Sequence, residues 1–167
     1  MDTSEIWSHL RRGGLTIAEP TKPAEDGRVR LPKYDGLADP AGAEKLGIEL
    51  AKLLGDVRAS LVLVWDNVED AVLGHIIGRQ LGVPVIRTYD EEGLAVSAVP
   101  IPAGAQGILV SDALRDRQVI KATTALLRQA GGQLLLVAVL VSAANERDAA
   151  VPIKSLVRLE PGQGDAS

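Results

Sequence analysis

At 167 residues, 46% hydrophobic and 24% charged, the chain has the length and balance of a single globular domain with a proper core. It has no cysteine, which excludes a disulfide frame and a thiolate metal site, and its two histidines, His9 and His75, lie too far apart to suggest zinc. A net charge of −4 argues against general nucleic-acid binding. No apolar run approaches the ~20 residues that a membrane span needs. The N-terminal MDTSEIWSHLRR has no apolar signal region, so a cytoplasmic protein is expected. Phenylalanine is absent, so the core must be built from Leu, Val, Ile and Ala, and Trp7, Tyr34, Trp65 and Tyr89 are the complete set of aromatic rings.

Glu5 to Arg12 has a helical pattern on Ile6, Trp7 and Leu10 and stops at Gly13-Gly14. Leu15 to Ala18 suggests a short strand, Glu19 to Gly27 a loop, and Arg28 to Leu31 a half-buried strand ended by Pro32. Tyr34-Asp35-Gly36 reads as a turn. Asp39-Pro40 opens a helix, Asp as N-cap and Pro at N1. That helix runs to about Leu54 with Leu46, Leu50, Leu53 and Leu54 on one face. Ser60 to Trp65, SLVLVW, is a buried strand. Val68 to Leu81 is a helix with Val72, Ile76, Ile77 and Leu81 on one side, and with Gly74 and Gly78 placed for close approach to a neighbour. Gly82 caps it, and Val83 to Arg87 is the next strand, which completes a βαβ unit. Thr88 to Gly93 reads as a short acidic turn, and Leu94 to Val99 as a strand.

Gly107 to Val141 forms the second such unit. Ile108 to Val110 is a strand. Val119, Ile120, Thr123, Leu126, Leu127 and Ala130 make the apolar face of a helix. Gly131-Gly132 ends it, and Leu134 to Val141 is a covered parallel strand. Ligands of such units sit at the carboxyl ends of the strands, which singles out the loop Ser111 to Gln118. Ser142 to Asp148 is a polar loop, Val151 to Leu159 a closing strand, and residues 161–167 a disordered tail of a single domain. The fold class is α/β, with a mostly parallel central sheet flanked by helices.

The strand Ile108 to Val110, followed by Ser111-Asp112-Ala113-Leu114 and a loop into a helix, resembles the signature of the type I phosphoribosyltransferases. Tyr34-Asp35 and Asp39-Pro40 are similar to the front of the orotate enzymes, RQLGVPVIR to the family's central unit, and VPIKSLVRL to the end of the adenine and xanthine enzymes. The resemblance implies a Rossmann-like fold, a homodimer, and a ligand of the phosphoribosyl pyrophosphate (PRPP) or nucleotide kind. It places Ser111 and Asp112 where two acids grip ribose, and Arg115, Asp116, Arg117 and Gln118 where a Gly- and Thr-rich loop cradles the 5′-phosphate. Asp66, Asn67, Val68, Glu69 and Asp70 stand where glycines hold pyrophosphate. Arg87 matches a basic position used on substrate phosphates, and Tyr34 is a ring able to stack a base.

Each of these residues also has a plainer use. Asp116 fits a helix cap, Asp66-Asn67 a turn, and Glu69-Asp70 first-turn acids facing a helix dipole. Asp112 fits ribose binding and a turn role equally. If PRPP binds, Mg²⁺ is the implied cofactor, with Asp112 and Asp70 as ligands. With one acid replaced by Ser111 and the glycines gone from both anion loops, the expectation is an eroded PRPP site. A non-catalytic binding, regulatory or assembly homologue follows. The alternative is an active Mg²⁺-dependent transferase, with the arginines replacing loop amides.

Overall fold

The computed structural model describes residues 1–15, 34–114, 117–143 and 151–159. The chain begins with helix α1 (Thr3–Arg12), capped by the Asp2 carboxylate on the Glu5 amide. Helix α2 (Pro40–Leu54) starts as its sequence dictates: Asp39 accepts from the Gly42 amide and Pro40 fills the first helical position. Strand β1 (Leu61–Trp65), helix α3 (Val68–Leu81) and strand β2 (Val85–Glu91) form the first βαβ unit. Strand β3 (Leu94–Ser97) follows. Strand β4 (Gln106–Ala113), helix α4 (Gln118–Gln129) and strand β5 (Gln133–Ala143) form the second unit, and strand β6 (Ile153–Leu159) closes the chain.

Among the described residues these strands make one six-stranded sheet in the order β3-β2-β1-β4-β5-β6. Every pairing is parallel except β2 with β3. The strand period of two divides the core cleanly. Val62, Val64, Ile108, Val110, Ala138 and Leu140 face one side, against α1, α2 and α3. Leu61, Leu63, Leu109, Val137 and Val139 face the other, against Ile120 and Leu127 of α4. Each fully buried Leu or Val contributes about 1.5–3 kcal/mol, and this double-sided burial is why the strands read as unbroken apolar runs. The glycine pair of α3 does what its spacing promised. A Cβ at Gly74 would lie 2.2 Å from Val64 Cγ1 and one at Gly78 2.4 Å from Val85 Cγ2, so the helix rides directly on β1 and β2.

Four expectations change. Thr88 to Glu91 is not a turn but the second half of β2. The reversal is confined to Glu92 and Gly93, both at positive φ (54° and 84°), the backbone of a two-residue hairpin. Strand β3 ends at Ser97, short of Val99. Ser111, Asp112 and Ala113 are not loop: Ser111 and Ala113 pair with Val139 and Val141 of β5, which carries β4 past the short apolar run. Leu53 is 42% exposed, and the packed face of α2 is Ala43, Leu46, Leu50, Ala51 and Leu54. The expected elements within 16–33, the tail at 161–167, and the loop beyond Ala143 lie outside the described residues. No helix among the described residues is long and apolar enough to cross a membrane.

Candidate functional site

From β1 the chain passes through α3 to β2 on one side. From β4 it passes through α4 to β5 on the other, and the two helices cover opposite faces. The carboxyl ends of β1 and β4 are therefore the topological switch point, where open α/β sheets bind their ligands. A cavity of about 230 Å³ lies there. Trp65 closes β1 on one wall, and Leu109, Ala113, Leu114 and Val119 bring apolar surface from β4 and α4. Asn67, Glu69, Asp70, Ser111 and Asp112 supply the polar groups.

The two buried acids form a chain of hydrogen bonds rather than an open pair. Asn67 caps α3: its Oδ1 accepts from the Asp70 amide at 2.7 Å, and its Nδ2 donates to Asp70 Oδ2 at 2.9 Å. Asp70 Oδ1 accepts from the Asp112 amide at 2.9 Å. Asp112 in turn accepts from the Ala113 amide at 2.7 Å and from the Tyr34 amide, 78 residues away in sequence, at 3.0 Å. Both acids are 2% exposed. Burial pushes the Asp70 carboxyl up to about 6; the bonds from Asn67 and the Asp112 amide pull against that, and the Asp112 charge adds to it.

All four carboxylate oxygens of Asp70 and Asp112 accept N–H hydrogen bonds, which fix both carboxylates in place. Among the described residues no group of three His, Asp or Glu side chains is placed to hold a metal ion.

The remaining candidates are dispersed. Ser111 lines the cavity and donates from Oγ to the Ala113 carbonyl at 3.1 Å. Arg117 is the N-cap residue of α4, without a capping side-chain bond, and Gln118 is that helix's first residue; both are exposed. Arg115 and Asp116 lie outside the described residues. Asp66 and Arg87 form a half-exposed ion pair at 3.4 Å and do not line the cavity. Tyr34 is fully buried with its ring against Gly13, where a Cβ would lie 2.0 Å from the ring, so the ring is core rather than a face for stacking. Burial, with Asp39 and Asp35 nearby, raises its hydroxyl to about 12.

Sequence reasoning missed Trp65 as a wall of the site, although its place at the end of a buried strand was signal enough. It also missed the tie from Asp112 to Tyr34, for which a local pattern carries no signal. His9 is 4% exposed and bonds Asp39 at 3.1 Å between α1 and α2, far from any metal role, and His75 is exposed on α3.

No protein-family model matches the sequence, and no curated protein matches it. Solved structures do match. An adenine phosphoribosyltransferase from Thermoanaerobacter pseudethanolicus superposes with a TM-score of 0.68 at 16% identity, covering 89% of this chain and 98% of that one. An orotate phosphoribosyltransferase from Aeropyrum pernix gives 0.71 at 18%, covering 91% and 92%. The adenine enzyme of Trypanosoma brucei, in complex with AMP, pyrophosphate and ribose-5-phosphate, gives 0.63 at 14%, covering 94% and 80%. With the two βαβ units, the strand order and the switch-point cavity, these likenesses fix the architecture: the chain has the fold of the adenine and orotate phosphoribosyltransferases.

Proposed function

We propose that this chain is a phosphoribosyltransferase-type protein that does not transfer ribosyl groups, and that it serves as a binding or regulatory homologue taking a nucleotide-like ligand at the β1–β4 switch point. One observation carries the reading. The Asp112 carboxylate, which the resemblance assigns to ribose, is turned inward onto the amides of Tyr34 and Ala113. Moving it to a ribose hydroxyl leaves two buried N–H groups unpaired, at roughly 1–3 kcal/mol each.

The charge of the cavity supports the loss of transfer from PRPP, whose pyrophosphate is a polyanion. Glu69, Asp70 and Asp112 line it, and no Lys or Arg is among its described lining residues. A carboxylate ~4 Å from a phosphate opposes it by roughly 4 kcal/mol at an effective dielectric of 20. Any Mg²⁺ in this reading arrives on the ligand's own phosphates. The nucleotide character of the ligand and a homodimeric state are carried over from the likeness to the transferases.

The test is a pair of measurements on the purified chain. The first is pyrophosphate release from PRPP and Mg²⁺ with adenine, xanthine or orotate as acceptor. The second is calorimetric titration with AMP, PRPP and ribose 5-phosphate. The expected result is no release with any acceptor and measurable binding of AMP. Ribosyl transfer that is lost in Asp112→Asn, with the fold intact by circular dichroism, would overturn the reading in favour of an active transferase.

A further inference from the structure

Asp112 lines the switch-point cavity, and its carboxylate reaches away from it to the backbone of Tyr34. Tyr34 is fully buried, and neither it nor Gly13 is among the cavity's lining residues. The Tyr34 amide donates to Asp112 Oδ2 at 3.0 Å, while the ring lies on Gly13, the C-cap residue of α1. The next amide, that of Asp35, donates to the Gly13 carbonyl at 2.7 Å. One residue further on, Gly36 passes close to Ala43 of α2 and Val72 of α3, since a Cβ there would lie 3.3 Å from each. Three consecutive residues thus join the end of α1 to α2, α3 and the end of β4.

The join is tightest at Gly13. Its φ of −76° and ψ of 18° are a backbone that alanine also adopts. The Tyr34 ring, and not the conformation of Gly13, therefore requires the missing side chain: a Cβ would overlap ring atoms Cε2, Cδ2 and Cζ. The Tyr34 hydroxyl is buried without a hydrogen-bond partner, so packing and the amide hold this residue, and its polar tip does not. On the other side the ties continue into the cavity. The Asp112 amide donates to Asp70 Oδ1 at 2.9 Å, and Asp70 lines the cavity as well. A displacement of Tyr34 reaches both acids.

We infer that Tyr34 couples the seat of α1 to the ligand site: its ring follows the position of Gly13, its amide sets the position of Asp112, and a seated α1 keeps the acid wall of the cavity in its binding form. This rests on the reading that the switch point is the ligand site, and it names the regulation of that site. A site preorganised by a remote contact loses affinity when the contact is disturbed, and a bound ligand steadies that contact in return by the same factor.

The test compares wild type, Gly13→Ala and the double variant Gly13→Ala/Tyr34→Leu as full chains, with AMP as the probe. Leucine lacks the ring atoms that the new methyl would meet and keeps the amide that bonds Asp112. By calorimetry, Gly13→Ala is expected to bind AMP about fivefold or more weakly than the wild type, and the double variant to recover most of that loss. In the wild type, AMP is expected to slow amide exchange in α1 about fivefold, and to leave the C-terminal turn of α4, on the opposite face of the sheet, unchanged. Gly13→Ala that binds AMP as tightly as the wild type, a loss that the double variant does not recover, or α1 exchange that AMP slows no more than the end of α4 would each overturn the coupling and leave the switch point standing as the ligand site. The wild-type exchange measurement decides the question if Gly13→Ala does not fold. Absence of AMP binding to the wild type would overturn the ligand site itself, and the coupling with it.

Discussion

At the scale of single residues, Asp70 has the most testable chemistry. Its carboxyl is pushed up to about 6 because burial penalises its charge more than its hydrogen bonds favour it. A folded-state value above the unfolded one means that folding takes up a proton. The stabilisation is complete below the ordinary carboxylate value and is lost as pH rises through about 6. Two pH units correspond to roughly 3 kcal/mol. The advantage of the wild type over Asp70→Asn should therefore shrink between pH 4 and pH 6.5, read from urea midpoints across that range. A difference that stays flat would remove the buried carboxyl as its source. Asp39 and Glu49 act with the opposite sign and at lower pH. The His9 bond holds Asp39, and the Lys52 bond holds Glu49, below the usual carboxylate range, so their support is lost only as the solution becomes strongly acidic. The caps at Asp39 and Asn67 follow from local rules, because a cap concerns residues three apart. The inward turn of Asp112 does not, because its partner Tyr34 is brought to it only by the packed fold.

Among the elements, the helices and the strands β1 and β5 follow their periodicities to within a residue or two, β4 runs three residues past its apolar run, and the edge hairpin departs. Strand β2 continues through Tyr89, Asp90 and Glu91 because β3 pairs with it, Tyr89 opposite Val96 and Glu91 opposite Leu94. An acidic stretch beside a glycine looks like a turn when that partner strand is not known. The turn proper puts Glu92 at a positive φ of 54°, a conformation that glycine and asparagine accept more readily than glutamate. Glu92→Asn gives the Asn-Gly pair that two-residue hairpins favour. It should raise stability by about 0.5–1 kcal/mol, seen as a higher thermal midpoint with unchanged spectra. A lower midpoint would mean that the glutamate side chain holds the hairpin by a contact that outweighs its backbone strain.

Across the whole molecule, the sheet ranks its own strands by burial. In β1, β4 and β5 the core residues Val62, Leu63, Ile108, Leu109, Val137 and Leu140 are 1% exposed or less, whereas β3 is half-buried and β6 has one buried residue. Amide exchange should follow that order, slowest in the three inner strands and fastest in β3, because local opening is least costly where fewest apolar groups are covered. Equal protection of β3 and β1 in a monomer would contradict the ranking, and protection of β3 only at high concentration would point to a second chain on that edge. The sequence by itself determined the two βαβ units, the caps at Asp39 and Gly82 and the double-sided apolar strands, since these arise from residues within one helical turn or one strand. It also pointed to the fold family, because the order of the units is a linear property. Only the tertiary structure decided which carboxylates are tied inward, how far β2 and β4 extend, and which ring walls the cavity. Those outcomes depend on pairs such as Asp112 with Tyr34 and Ser111 with Val139, which chain closure brings together and which no local pattern encodes.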